Sequence, residues 1–271
     1  MKTGIIIPCY NESKRLNTEA FLQFSIKNQD YHLCFVNDGS KDNTIQVLEN
    51  LRIQNPNGIS IIDIKKNIGK AGAVRAGSRY LFTRNDIDAI GFMDADLSTD
   101  FRDFKELVKT LKTENKIMVF GSRKSGNDGI KRNATRGILS KIVKGFILLI
   151  LGLPITDTQC GAKVFKKDVV PTLFEKGFVS RWLFDVEIFL RLKKQMGSKN
   201  IMNSIFEQPL MRWVHMEDSK LGLKDSVKIP MKLMQIWFAY NTPQLFINQF
   251  QQLEPSVEIM HQPAPALQIA A

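Results

Sequence analysis

From Gly4 to Phe120 the apolar positions fall in short β-branched runs, and between those runs the apolar spacing lengthens toward that of helices. Gly4-Ile5-Ile6-Ile7 reads as a strand closed by Pro8, and Leu33 to Val36 as a second, followed by the turn Asn37-Asp38-Gly39-Ser40. Asp42 to Ile53 then places Ile45, Leu48 and Leu51 at near-helical spacing. Ile59 to Ile64 predicts a third strand, Gly69 to Phe82 a helix, and Ile90 to Met93 a fourth strand. Phe101 to Leu111 predicts another helix and Ile117 to Phe120 a fifth strand. This alternation predicts an α/β fold built from βαβ units, with a mostly parallel sheet covered on both faces. Farther along, Ile188 to Met196 reads as an amphipathic helix and Ser204 to Val214 as a further strand region. No internal repeat is visible. From Gln249 the chain is rich in Gln, Pro and Ala without apolar periodicity, which predicts a disordered tail over 249–271.

In open parallel sheets, ligands bind beyond the carboxyl ends of the strands. The predicted strand ends are Tyr10-Asn11-Glu12, Asp38-Gly39-Ser40, Lys65-Lys66-Asn67, Asp94-Ala95-Asp96 and Gly121-Ser122-Arg123. Together these ends describe a polar crevice able to meet a sugar, a base, a phosphate or a metal. The dinucleotide fingerprint is absent after the first strand, and Gly69-Lys70-Ala71-Gly72 lacks the spacing of a Walker loop. The Asp94-Ala95-Asp96 pair suits a hard divalent cation, because alternate residues of an extended chain share a side. The alternative is a turn with capping aspartates, a role that Asp100 fits, just ahead of the helix at Phe101.

Composition sharpens the picture in one respect. With 271 residues, 44% hydrophobic and 24% charged, the chain is ordinary for a globular protein, but its net charge of +11 is not. That excess implies an anionic partner: nucleic acid, an anionic membrane face or phosphorylated substrates. The three cysteines, Cys9, Cys34 and Cys160, have no metal-like spacing, and an odd number argues against a disulfide framework, so a reducing cytosol is expected. The apolar run at Ile5-Ile6-Ile7 is too short for a signal peptide.

Seven blocks now stand in order: IIIPCYNE (5–12), VNDGSKDNT (36–44), NIGKAGAVRAG (67–77), MDADLS (93–98), GSR (121–123), DTQCGAKVF (157–165) and RWLFDVE (181–187). In these blocks the chain resembles the family-2 glycosyltransferases of the GT-A fold, and among them the dolichyl- or polyprenyl-phosphate glucose synthases. The resemblance implies an inverting, metal-dependent transfer of a hexose, glucose favoured, from a nucleotide sugar such as UDP-glucose to a polyprenyl or dolichyl phosphate. It implies that Pro8, Tyr10, Glu12 and Asp38 hold the base and ribose, with Lys70 and Gly72 at a helix start that suits an anion. Asp94 would face ribose or metal, and Asp96 would hold Mg²⁺ or Mn²⁺ on the diphosphate. Arg123, Arg136 and Ser140 resemble the acceptor-phosphate site of the family, with Arg136 and Ser140 one helical turn apart. For the catalytic carboxylate the family offers Asp157, and Asp185 is a second candidate. A phosphate acceptor is largely ionised above its second pKa of about 6, so Asp157 is expected to orient it or to balance arginines more than to take a proton. Asp185 and Glu187 equally fit the acidic bias of a helix start. Trp182 is expected to pack, and 212–220 resembles a family loop near the active site that could close over the donor.

The chain departs from the family in one respect. Relatives usually carry transmembrane helices, and no apolar run of about 20 residues occurs here. Lys131, Arg132, Arg136, Lys141 and Lys144 instead run into Phe146 to Leu151. That is either a solvated basic face or a helix lying in an anionic membrane interface at the cytoplasmic side. Val227 to Leu245 reads as a second interfacial helix, or as a docking surface for a membrane protein or a second copy. The expected organisation is therefore a GT-A domain over 1–222, an interfacial or docking segment over 223–248, and the tail. Two other readings compete: a GT-A enzyme acting on a soluble or polysaccharide hydroxyl, and a basic nucleic-acid binder. The latter lacks a binding motif or an aromatic-basic sheet face, so no nucleic-acid partner is expected.

Overall fold

The computed structural model describes residues 1–123, 134–212 and 229–242, with the side chains of 134–142 outside that description. The elements run β1 (Thr3–Cys9), α1 (Thr18–Lys27), β2 (Tyr31–Asp38), α2 (Thr44–Gln54), β3 (Ile59–Ile64), α3 (Gly69–Thr83), β4 (Ala89–Phe92), α4 (Phe101–Thr113), β5 (Met118–Ser122) and α5 (Ala134–Leu151). They continue with β6 (Lys163–Lys166), a short 3₁₀ turn, α6 (Val170–Phe174), α7 (Phe184–Met196), α8 (Ser198–Ser204), β7 (Ile205–Pro209) and α9 (Ile229–Asn241).

Seven strands form one sheet in the order β3-β2-β1-β4-β6-β5-β7. All pair in parallel except β6, which is antiparallel to both β4 and β5. The five predicted strands are present, within a few residues of their expected ends. The predicted region 204–214 forms strand only over Ile205–Pro209, and its last two residues, Trp213 and Val214, lie outside the described residues. Likewise, the expected tail over 249–271 lies outside them.

Strand alternation divides the core in two. Ile6, Cys34, Val36, Phe92, Met118, Phe120 and Phe165 face α3 and the helices from α5 on. Ile5, Ile7, Leu33, Phe35, Val119 and Val164 face the other way, where Phe21, Leu48 and Phe104 of α1, α2 and α4 cover them. Each fully buried side chain of this size contributes roughly 1.5–3 kcal/mol, so both layers are held mainly by apolar burial. Asp100 caps α4 as expected, accepting from the N–H groups of Arg102 and Asp103, a contact worth about 1 kcal/mol. Pro8 pairs with Val36 of β2 but lies past the last β1–β4 pair, Ile6 with Phe92. A missing N–H is tolerated there, where β4 has already left the ladder.

Candidate active site

The turns leaving β1 and β2 are tied to each other. Thr44 Oγ1 accepts from Glu12 N at 2.8 Å, Ser40 Oγ from Asn11 N at 3.0 Å, and Asn11 Oδ1 from Lys41 N at 2.8 Å. Asn11 has φ of 52°, a left-handed position that Asn adopts more readily than most side chains. The buried Glu12 carboxylate accepts from Arg15 at 2.9 and 3.1 Å. Tyr10 is half-buried beside it. Asp38 sends its carboxylate across to the start of α3, accepting from Ile68 N at 2.7 Å, Gly69 N at 2.9 Å and Asn67 Nδ2 at 2.9 Å. Burial pushes the Asp38 carboxyl above its ordinary value, and these N–H groups and Arg181 only partly offset that.

Arg181 closes the same turn from the far side. Its guanidinium donates to Ile68 O at 3.0 Å, Asn67 O at 2.6 Å and Asn67 Oδ1 at 2.8 Å, and its own carbonyl accepts from Ala71 N at 3.1 Å. Gly69 sits under it with φ of +84°; a Cβ there would come within 2.8 Å of Arg181 Nε. Lys70 and Gly72 thus stand in the first turn of a helix in which the N–H groups of Gly69 and Ala71 are taken by protein oxygens.

Beyond β4 the chain makes a tight turn in which Leu97 has φ of 55°. A left-handed, non-glycine residue costs about 1–2 kcal/mol, and such strain is concentrated at functional sites. Lys70 Nζ pairs with Asp94 Oδ1. Burial works against the lysine charge, but Asp94, Asp185 and Asp96 together hold its pKa above the ordinary value. The other face of Asp94 meets Gly161, where a Cβ would fall within 2.6 Å of the carboxyl carbon. Asp96 is half-buried, and its Oδ1 accepts from Ser98 N at 2.9 Å. No other hydrogen bond among the described residues reaches that carboxylate, although the Lys70 charge acts on it from a distance.

Among the described residues, no group of three or more His, Cys, Asp or Glu side chains gathers to hold a metal. Two carboxylates on one turn fit a Mg²⁺ or Mn²⁺ that takes its remaining ligands from phosphate and water. Asp96 is the better donor of the two, since Lys70 already meets the charge of Asp94.

A second charged group stands at the β5 and β6 end of the sheet. Arg123 grips Asp157 with both arms, Nε to Oδ2 and Nη2 to Oδ1 at 2.7 Å each, and Arg123 N adds a bond to Oδ2 at 2.9 Å. Burial raises the Asp157 pKa, but Arg123 outweighs it and holds the carboxyl below its ordinary value. Glu207 of β7 fixes the turn from outside, accepting from Thr156 N and Asp157 N at 2.9 Å each. Asp185, in the first turn of α7, is paired at 2.6 Å with Lys163, a fully buried lysine that also donates to Cys160 O at 2.7 Å.

Glu187, two residues on in the same first turn of α7, is buried and accepts from Val179 N at 3.0 Å, Ser180 N at 2.9 Å and Tyr240 Oη at 2.9 Å. Its pKa is raised by burial. Arg191 Nε donates to the same Tyr240 oxygen at 2.8 Å, so α9 is tied to α7 by a polar latch. The outer sides of α5 and α9 carry exposed Phe146, Leu148, Leu149, Met231, Met234, Trp237 and Phe238. No described helix is long and apolar enough to cross a membrane. Arg136 and Ser140 fall in the first half of α5, but their side chains lie outside the described residues, as do Lys131 and Arg132. Trp182, expected to pack, is 44% exposed.

Three residues at the site went without a role in the sequence reading: Lys163, Arg181 and Glu207. Lys163 and Arg181 stand inside the DTQCGAKVF and RWLFDVE blocks, so their place in the motifs was the available signal. Glu207 carried none.

The model of "Glycosyl transferase family 2" matches residues 4–174. A dolichyl-phosphate beta-glucosyltransferase of Trichomonas vaginalis is 36% identical over 251 residues, covering 86% of this chain and 70% of the relative. The dolichyl-phosphate beta-glucosyltransferase of Saccharomyces cerevisiae is 31% identical over 264 residues, covering 88% and 74%. Among solved structures, glucosyl-3-phosphoglycerate synthase from Mycobacterium tuberculosis, in complex with Mn²⁺, UDP and phosphoglyceric acid, superposes with a TM-score of 0.63. That match has 17% identity and covers 89% of this chain and 79% of the other. The same synthase has been crystallised with Mg²⁺ and UDP. The fold is GT-A, and the chain belongs to glycosyltransferase family 2.

Proposed function

We propose that this enzyme transfers glucose from UDP-glucose to dolichyl phosphate, with inversion, at the cytoplasmic face of a membrane. The observation that carries the reading is the likeness to dolichyl-phosphate beta-glucosyltransferases across 80–89% of the chain in seven relatives. It is supported by a sheet edge with carboxylates at β4 and an arginine–carboxylate clamp at β5.

In this reading Pro8, Tyr10, Glu12 and Asp38 shape the uridine side, Asp38 chiefly by fixing the turn that begins α3. Asp94 with Lys70 and Gly72 borders the ribose and diphosphate, and Asp96 holds the divalent cation. A bound Mg²⁺ or Mn²⁺ supplies Lewis-acid neutralisation of the departing diphosphate. On the opposite side Arg123, Arg136 and Ser140 receive the acceptor phosphate. One phosphate oxygen forms a bond to the anomeric carbon as the bond from that carbon to the diphosphate oxygen breaks, and UDP leaves with the electron pair. An α-linked donor then gives a β-linked product.

No proton need be removed from a phosphate already ionised above its second pKa of about 6. Asp157, held anionic by Arg123, aims that guanidinium, and Asp185 serves as the fixed counter-charge of Lys163. Residues 1–222 form the catalytic domain. The exposed apolar sides of α5 and α9 suit the edge of an anionic bilayer.

The test is transfer of radiolabel from UDP-glucose to dolichyl phosphate in detergent with Mg²⁺, counted in the organic phase. Label in the lipid that is released by mild acid as glucose supports the reading. Label confined to a water-soluble glycoside would move the enzyme to a hydroxyl acceptor.

A further inference from the structure

The proposed function gives Lys163, the first residue of β6 and with none of its surface exposed, no part beyond balancing Asp185. A lysine so deeply buried needs a strong reason, because an ammonium loses its hydration there. Its partners are unusually informative. Nζ donates to Asp185 Oδ1 at 2.6 Å and to the carbonyl of Cys160 at 2.7 Å, and it stands 5.4 Å from the centre of the Phe92 ring. Lys70 Nζ stands 6.0 Å from the centre of the same ring.

The Cys160 carbonyl belongs to the turn 157–161, whose two ends touch different parts of the crevice. At one end Asp157 is gripped by Arg123. At the other, Gly161 lies so near the Asp94 carboxylate that a methyl group would not fit between them. A small shift of this turn therefore moves the Arg123 clamp and the seat of Asp94 together. Its outer flank is fixed by Glu207 through the N–H groups of Thr156 and Asp157. Its inner flank rests on Lys163. Neutral pairing of Asp185 would not require the second bond, since any donor of the right length could satisfy that carboxylate.

We propose that Lys163 is a positioning residue for glycosyl transfer, setting the height of the 157–161 turn between Asp94 and Asp157. This rests on the reading of those carboxylates as the donor and acceptor sides. The lysine touches neither substrate. It acts through a carbonyl, on groups that do.

The experiment compares Lys163→Gln and Lys163→Met in the full chain. Both remove the charge, but the Gln amide can still donate toward Cys160 O. Lys163→Met should lower kcat about 10–100-fold, the scale on which small misplacements of reacting groups act, with Kd for UDP changed much less. Lys163→Gln should recover a measurable part of that loss. Equal losses in the two variants would mean that Lys163 only balances Asp185, and would overturn the proposal.

Backbone amide exchange gives a readout that does not need activity. In Lys163→Met/Asp185→Asn, where the buried charges are removed together, the thermal midpoint should return toward wild type. Exchange in 156–162 should stay faster than wild type, and that in β1 and β2 unchanged. Wild-type exchange in 156–162 would overturn the proposal, whether or not the double variant turns over. If the wild type moves no label to lipid, the substrate reading fails, and amide exchange still decides the role of Lys163.

Discussion

Around β1, β2 and the start of α3, the crevice is shaped mainly by hydrogen bonds to backbone groups: Thr44 to Glu12 N, Ser40 to Asn11 N, Asp38 to Ile68 N and Gly69 N. Around β5 and β6 it is shaped by ion pairs, Arg123 with Asp157 and Lys163 with Asp185. Backbone bonds fix shape and leave the local charge little altered. Ion pairs fix shape and charge at once, so losing one partner leaves the other uncompensated. The proposed donor side thus rests on contacts that set its outline, and the proposed acceptor side on charges that are balanced in pairs. Asp94 and Asp96 lie between them, where both kinds of contact meet.

The strongest way to break this comparison is at the junction. Asp96→Asn should lower kcat about 10²–10³-fold, the loss seen when one charge-stabilising group is removed, with the circular dichroism spectrum unchanged. Transfer that keeps its wild-type rate and Mg²⁺ dependence in this variant would remove Asp96 from the cation site.

Next comes the ion-paired side. Asp157→Asn should lower kcat/KM for dolichyl phosphate about 10–100-fold, as expected from a misaimed guanidinium, with UDP affinity in calorimetry preserved. The acidic limb of the wild-type rate profile should lie near the phosphate pKa of about 6 and should persist in the variant. A limb that vanished with Asp157 would make it the base. The folded-state pKa of Asp157 is lowered, so its ionised form stabilises the fold. That contribution is complete above the unfolded value of about 3.9 and is lost as pH falls through the lower folded value. Acid unfolding of Asp157→Asn should therefore be less steep below pH ~4.

The shape-determined side should respond through binding. Arg181→Ala removes the brace on Asn67 and Ile68, and should raise KM for UDP-glucose about tenfold, as for one lost hydrogen bond to a charged group, with kcat changed less. An equal fall in kcat would place Arg181 in the chemical step. The smallest effect should come from Tyr240→Phe, which opens the latch between α9 and α7. It should cost about 1 kcal/mol, read as a fall of about 2–4 °C in the thermal midpoint.

The strands β1, β2 and β4 and their ends were legible in the sequence, because short apolar runs ending in Pro8, Asp38 and Asp94 mark them. What could not be read was the direction in which the side chains turn. The carboxylate of Asp38 is spent on a turn 30 residues away at Ile68, a contact that no local pattern encodes. The strand β6 is absent from the predicted elements, being only four residues long and beginning at a lysine, and period-two patterning would not have told its antiparallel direction from a parallel one. Lys163 would ordinarily be assigned to solvent, and its burial is offset by contacts remote in sequence or hidden in a turn, Asp185 of α7 and the Cys160 carbonyl.

That reversal also bears on how the chain assembles. Phe92 of β4 waits for Lys163 of β6 as its neighbour, and so does Phe120 of β5. During synthesis the β1–β4 sheet and its helices emerge first, with the β4 flank still bare. An uncovered strand edge invites mispairing, and the slot closes only when a segment made much later slides in from the opposite direction. Until β6 is made, β4 and β5 therefore have no partner on the sides that face each other, and the two halves of the sheet are joined only by that later strand.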